Sequence, residues 1–199
     1  MPGSIGSYRI IRELSAGRTG VYLAEDPDGL LVIKQRSPDR LRAEYKAMLA
    51  CRGPLIGEPL KLGSEGLFLK YYEGSCALSS FDESRCREAL LAMIRSYDAL
   101  CWCHDCGYIH GDFKPSNVLV LPNGGIRLID FGAALKTGTV YSDLHSYEYS
   151  PFGRTDYAVP GSDFAAYLHY AQMFIKKSPR REGLEMEFFL RKNKLLAAD

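Results

Sequence analysis

From Tyr8 to Tyr72 the chain alternates short apolar runs with turn-forming residues, and this punctuation restricts its fold more than any other feature. Tyr8 to Leu14, Val21 to Glu25 and Leu30 to Gln35 are rich in β-branched and aromatic residues, which suit a pleated, half-buried surface, and so read as three consecutive antiparallel strands. Asp26-Pro27-Asp28-Gly29 supplies the turn between the second and third. From Pro38 to Cys51 the spacing of Leu41, Tyr45, Met48 and Leu49 changes to that of a helix, which Gly53-Pro54 stops. Leu60 to Leu62 and Leu67 to Tyr72 form a further expected hairpin, and Glu73-Gly74-Ser75 has the composition of a hinge.

Beyond the hinge the periodicity is mainly helical. Asp82 to Asp105 places Leu90, Ile94, Tyr97 and Leu100 on one face, behind the capping-type run Ser79 to Glu83. Val118 to Leu121 and Ile126 to Ile129 flank Pro122-Asn123-Gly124-Gly125 as a hairpin. Lys136 to Pro160 lacks periodicity and is expected to be a long surface loop, and Asp163 to Ile175 returns to helix. With 199 residues, the chain suits one domain, or two small lobes around one cleft.

Charge and hydropathy narrow the function classes. Lys and Arg number 25 against 24 Asp and Glu, a net charge of +1, which gives no global reason to expect nucleic acid or an anionic membrane as partner. No stretch reaches the roughly 20 apolar residues of a membrane span, and Met1 to Ser7 lacks the pattern of a classical signal peptide, so a soluble, cytoplasmic protein is expected. The six cysteines, Cys51, Cys76, Cys86, Cys101, Cys103 and Cys106, do not form a secreted disulfide framework, and reduced thiols are expected. Cys101, Cys103, His104 and Cys106 admit a zinc reading, but on a helix Cys101 and Cys103 would face roughly opposite ways, which favours packing by small apolar thiols.

The densest chemistry lies in Tyr108-Ile109-His110-Gly111-Asp112-Phe113-Lys114-Pro115-Ser116-Asn117-Val118-Leu119, followed after the hairpin by Asp130-Phe131-Gly132. Asp112 or Asn117 alone is as readily a turn cap. Together, His-x-Asp, Lys two residues on, Asn five residues on and a downstream Asp-Phe-Gly resemble the catalytic loop and metal-binding motif of eukaryotic-type protein kinases. The resemblance implies an α+β, bilobal protein-kinase-like fold with a small β-rich N-lobe and a truncated helical C-lobe. It implies a single minimal kinase domain over 1–199, with an N-lobe at about 5–72, a hinge at about 73–76 and a C-lobe at about 77–199. It also implies ATP and Mg²⁺ as cofactors. In that family's terms Asp112 orients the acceptor hydroxyl, Lys114 sits near the transferred phosphate, and Asn117 and Asp130 hold the metal.

The resemblance extends toward the amino terminus. Lys34 in Leu31-Val32-Ile33-Lys34 is similar to the strand lysine that pairs with the nucleotide phosphates, and Glu44 to its helix partner, although a strand Lys beside a helix Glu is by itself commonly solvated surface. Gly17 and Gly20 resemble a shortened Gly-rich loop, which is also readable as an ordinary hairpin turn. Val21 and Ile33 would sandwich the adenine, and Leu69, Lys70 and Tyr72 would line it, offering backbone hydrogen bonds.

The departures carry information. Gly111 stands where many relatives have an Arg that grips a phosphorylated loop, and His-Gly-Asp also occurs in aminoglycoside-type small-molecule kinases; Lys114 favours a Ser/Thr acceptor. Tyr149-Ser150-Pro151 replaces Ala-Pro-Glu, and Asp163 resembles the Asp that braces the catalytic loop. The similarity runs from Tyr8 to Ile175, and its shortness resembles the compact effector kinases that pathogenic bacteria inject into host cells. One such family phosphorylates the host ninety-kilodalton heat-shock chaperone, and another engages ubiquitin-loaded conjugating enzymes. The expectation is a monomeric Ser/Thr kinase with a protein substrate, such as that chaperone, acting in the producer's cytoplasm or the host cytosol. A pseudokinase-like scaffold and a small-molecule kinase are the alternatives.

Overall fold

The computed structural model describes residues 3–14, 20–139 and 158–177. Strands β2 (Tyr8–Glu13), β3 (Val21–Asp26) and β4 (Gly29–Lys34) follow one another as expected from their turns, and a short β1 (Ser4–Ile5), not expected from the sequence, pairs with β2 at the edge. Helix α1 (Pro38–Ala50) comes next, then β5 (Pro59–Leu62) and β6 (Leu67–Lys70). The six strands make one antiparallel sheet in the order β1-β2-β3-β4-β6-β5.

The register sorts the side chains between the two faces of this sheet. Directly opposed residues in an antiparallel pair share a face, and successive residues alternate. Val21 opposes Lys34, Leu23 opposes Val32, and Val32 in turn opposes Leu69, so these residues share the face turned toward α1. Ile33 opposes Phe68 on the other face, where both pack with Tyr8, Ala24 and Leu31 in a separate cluster. The expectation that Ile33 walls the adenine is therefore corrected: its side chain is 0% exposed inside the outer cluster, and Val32 takes the inward place.

A polar link leads to β7 (Cys76–Ala77), which pairs with β9 (Val118–Val120) rather than with the first sheet; Cys76, expected as hinge, thus belongs to the second unit. Asp82 accepts from Ser84 N at 3.0 Å to cap a 3₁₀ turn at Glu83–Arg85. Helix α2 (Cys86–Asp105) therefore begins four residues later than its periodicity suggests. Its inward face, including Ala89, Met93, Ser96, Leu100 and Cys103, is buried.

Strands β8 (Tyr108–Ile109), β10 (Ile126–Leu128) and β11 (Leu135–Lys136) complete the floor, with β9–β10 the expected hairpin and β8–β11 a short antiparallel pair. Helix α3 (Pro160–Lys177) starts at its proline, earlier than expected, because proline suits the first turn where no N–H partner is needed. Tyr97 of α2 stacks on Phe164 of α3, ring centroids 5.4 Å apart. The largest core cluster joins Leu41 and Met48 of α1, Leu67 of β6, Leu100 of α2, Leu128 of β10 and Tyr167 of α3, so one apolar interior spans both sheets. Most of the expected surface loop, including Tyr141, Tyr147, Tyr149, Phe152 and Tyr157, lies outside the described residues, as does Gly17.

Ile33→Ala is expected to lower the free energy of unfolding by about 2–5 kcal/mol, the usual cost of emptying a closed apolar site. Urea unfolding measures it. Val32→Ala, at a half-buried position, is expected to cost clearly less.

Candidate active site

The site forms where the sheet, α1 and the turn after β10 converge on one ammonium group. Lys34 Nζ lies 2.8 Å from Glu44 Oε1 and 2.6 Å from Asp130 Oδ1. Lys34 ends β4 on the inward face, and Glu44 projects from the buried side of α1 two turns after Pro38. Lys34 and Glu44 are both buried, with side-chain exposures of 8% and 2%, whereas Asp130 remains 43% exposed. Burial works against the Lys34 charge, but the charges of Asp130 and Glu44 outweigh it and hold the lysine above its ordinary range. Burial pushes the Glu44 carboxyl up, and Lys34 offsets this only in part. Desolvation also opposes the Asp130 charge, yet Lys34 prevails and keeps that carboxyl below its usual range.

Asp130 owes its position to its backbone. At φ 64° it is the one non-glycine residue with positive φ among the described residues, a conformation Asp tolerates better than most side chains. The following 3₁₀ turn, Phe131–Ala133, buries Phe131 against the edge of His110, centroids 4.9 Å apart, while His110 Nε2 lies 3.0 Å from Ile129 O.

Asp112, Lys114 and Asn117 form a second, contiguous group. Lys114 Nζ donates to Asp112 Oδ2 at 2.6 Å; Asn117 Nδ2 donates to Asp112 O at 2.9 Å and reaches Asp112 Oδ2 at 3.2 Å. Pro115 opens the 3₁₀ turn Pro115–Asn117 that brings Asn117 back over Asp112, and Asn117 O then accepts from Ile129 N at 2.9 Å. That last bond couples the loop to the strand leading into Asp130. With its side-chain nitrogen committed to Asp112, Asn117 has its side-chain oxygen Oδ1, which no donor among the described residues engages, left for a ligand. Asp130, engaged by Lys34 through one oxygen, retains a second one beside solvent. A carboxamide oxygen and a carboxylate are the hard donors that Mg²⁺ prefers, so the residues fit that ion.

Beneath the loop, Asp163 of α3 is 2% exposed and accepts from His110 N at 2.7 Å and Gly111 N at 2.8 Å. His104 Nε2 lies 2.9 Å from the same carboxylate. Gly111 adopts φ 77°, and a Cβ there would come within 2.4 Å of Ala133 O. The missing arginine is thus accompanied by a backbone geometry in which this close carbonyl leaves no room for a side chain.

On the nucleotide side, Val21 and Leu69 share the inward face with Lys34, and Gly20, at φ 51°, accepts from Gln35 N at 2.7 Å. Lys70 turns its side chain outward, 3.3 Å from Glu58. The Tyr72 ring sits between the Lys70 ammonium and the Arg127 guanidinium, 5.9 and 5.3 Å from its centroid, with its hydroxyl accepting from Glu58 N at 3.0 Å. Lys70 and Tyr72 therefore offer only backbone toward the inward side. Sequence reasoning missed Val32 and His104. The period-two alternation from Lys34 marks Val32; nothing in the sequence joins His104 to Asp163, 59 positions away.

This arrangement has a family. The protein kinase domain model matches residues 60–160, just over half of the chain. The chain belongs to the protein kinase domain family. It is 30% identical over 154 residues to the probable serine/threonine-protein kinase PkwA of Thermomonospora curvata, covering 67% of this chain and 20% of that protein. It is 28% identical over 169 residues to the probable cAMP-dependent protein kinase catalytic subunit of Encephalitozoon cuniculi, covering 79% of this chain and 49% of that one. Over 104 residues it is 36% identical to human serine/threonine-protein kinase MRCK alpha, covering 47% of this chain and 6% of that protein. The kinase chain thus spans from a small fraction to about half of the length of these curated relatives. The fold agrees: an antiparallel amino-terminal sheet with one helix, and a mainly helical second lobe.

Lys34→Ala is expected to destabilise this kinase fold by about 3–5 kcal/mol, because it strands a buried carboxylate. The double variant Lys34→Ala/Glu44→Ala should recover part of that loss, and chemical unfolding of both measures the difference. Gly111→Ala should cost at least about 1–2 kcal/mol through left-handed strain alone, read in the same way.

Proposed function

We propose that this chain is an ATP- and Mg²⁺-dependent protein kinase that transfers the γ-phosphate to a Ser or Thr hydroxyl. The observation that carries this reading is the simultaneous contact of Lys34 with Glu44 and Asp130, which puts a phosphate-binding cation beside a metal-binding carboxylate. Phosphoryl transfer demands little covalent chemistry of the protein; positioning and charge neutralisation supply most of the rate.

Lys34 binds the nucleotide phosphates and is kept cationic by its two carboxylates. Gly20 and Val21 cover the phosphates, a role the resemblance also gives to Gly17, outside the described residues, and the backbone of Leu69, Lys70 and Tyr72 receives the adenine against Val32. Asn117 and Asp130 would hold Mg²⁺, which when bound neutralises charge on the phosphate oxygens. Asp112 orients the acceptor hydroxyl and receives its proton at Oδ2. Lys114, 2.6 Å from that oxygen, stays close enough to move onto the transferring group. Its position two residues after Asp112 supports Ser/Thr over a small-molecule acceptor, as does the similarity to serine/threonine-protein kinases.

The lobes are read as about 5–72 and 77–199, with the connection between them. For the acceptor protein we extend the reading to a compact effector kinase acting on a host ninety-kilodalton heat-shock chaperone. What supports that extension is fold-level likeness to those compact kinases alone.

Radiolabelled ATP with an acceptor panel tests the reading: generic Ser/Thr protein substrates, the chaperone and aminoglycosides. Label on Ser or Thr of a protein is the expected result. Label on an aminoglycoside alone, or ATP binding without transfer to anything, overturns it. Asp130→Ala should reduce transfer on the order of 10²-fold or more, as loss of a positioned charge in a sheltered site does. Asp112→Asn should fall similarly in turnover while still binding ATP, measured by calorimetry beside the transfer assay.

A further inference from the structure

The chain passes from the first sheet to the second through residues 71–75, between β6 and β7, and one side chain in that link is held from both sheets. Lys70, at the end of β6, places its ammonium 5.9 Å from the centroid of the Tyr72 ring. Arg127, on β10 of the second sheet, places its guanidinium 5.3 Å from the same point. The negative face of an aromatic ring attracts a cation within about 6 Å, so both lie in range. The ring is half-buried, yet Tyr72 belongs to none of the three apolar clusters formed by the described residues. Charge rather than the core holds it.

The rest of Tyr72 is engaged as well. Its hydroxyl accepts from Glu58 N at 3.0 Å, and its carbonyl accepts from Ser75 Oγ at 2.6 Å and from Ser75 N at 3.2 Å. Glu58 is itself fixed: its carbonyl accepts from Lys70 N at 3.0 Å, and its carboxylate meets Lys70 at 3.3 Å and Arg52, just beyond α1, at 3.2 Å. On the other side the Arg127 guanidinium donates to Ile126 O at 2.7 Å, which steadies it on β10. One aromatic residue thus connects the end of the first sheet, the segment after α1 and the second sheet.

We propose that Tyr72 is a positioning residue for the nucleotide site: gripped by one cation from each sheet, its ring keeps the link in the shape that receives the adenine. The inference deepens the kinase reading and rests on it for the identity of the ligand. A backbone ordered before its ligand arrives binds more tightly, because the ordering is not deducted from the interaction energy. Loss of the ring, or of the Arg127 cation, releases the link from the second sheet. Lys34, Asp112, Asn117 and Asp130 are left where they are, so the effect falls on adenine binding.

Hydrogen exchange on the nucleotide-free protein and calorimetric titration with Mg²⁺-ATP test this on the whole chain. The variants are Tyr72→Leu, Tyr72→Phe, Arg127→Leu and the double variant Tyr72→Leu/Arg127→Leu. In both Leu single variants the amides of residues 71–75 should exchange faster, while those of α2 hold. Arg127→Leu should bind ATP about 2- to 5-fold more weakly, the scale of one cation–π contact at a partly exposed site. Tyr72→Leu should lose at least as much, and in the transfer assay more of the loss should fall on KM for ATP than on kcat. The double variant should be no weaker than Tyr72→Leu, since without the ring Arg127 has nothing to hold. Tyr72→Phe keeps the ring and gives up only the bond from Glu58 N, so it should stay closer to wild type than Tyr72→Leu. Should Tyr72→Leu not fold, Arg127→Leu tests the same hold.

Unchanged exchange at 71–75 in the single variants, additive losses in the double variant, or Tyr72→Phe as weak as Tyr72→Leu overturns the proposal. A wild-type chain that binds no ATP overturns the kinase reading, and with it the role of the link in adenine binding. The exchange result, read without nucleotide, still decides whether Tyr72 holds the link.

Discussion

The Lys34 ammonium is the junction on which the rest of this structure depends. It is held by a strand, faced by a helix ten residues later, and met by a turn 96 residues later. Taking Lys34 and Glu44 out of water is costly, and their close contact offsets that cost. The pair therefore demands a particular placement of α1 against β4 and of the Asp130 turn against both. The apolar cluster that joins α1, β6, α2 and β10 supplies that placement, and non-directional burial is thereby converted into a directional polar geometry.

A second buried carboxylate plays the same part for the other half of the site. Among the described residues the Asp163 carboxylate is met by the His104 ring and by the backbone N–H groups of His110 and Gly111. Those bonds fix the chain just before Asp112. The tight passage of Gly111 beneath Ala133 O then brings the catalytic-type loop against the turn that carries Asp130. The two polar centres communicate through short links: Asn117 O to Ile129 N, and the His110 ring against Phe131. Neither centre is assembled by one element; Asp130, Asp112 and Lys114 stay partly exposed, while Lys34, Glu44 and Asp163 are buried.

The seam between α1 and α2 shares this logic. Trp102 and Cys51 fasten the end of α1 to the second lobe by one indole hydrogen bond and close packing.

The sequence by itself determined what is local. Five of the six strands of the first sheet, all but the short β1, followed from turn formers and β-branched runs, the helices from their 3.6-residue period, and Asp112, Lys114, Asn117 and Asp130 from fixed spacing within one loop and one hairpin. Lys34 and Glu44 were legible because each sits at a set distance inside its own element. Tertiary structure decided what depends on residues far apart in the chain. It turned Ile33 outward and Val32 inward, which alternation from Lys34 already encoded but which only the position of α1 makes meaningful. It gave Gly111 its left-handed backbone beneath Ala133, joined His104 to Asp163, turned the Tyr72 ring away between two cations, and gathered Cys51 with Cys103 and Cys106. The reason is physical. Period and turn chemistry act over a few residues, while burial and charge pairing act between whichever surfaces the packed core brings together.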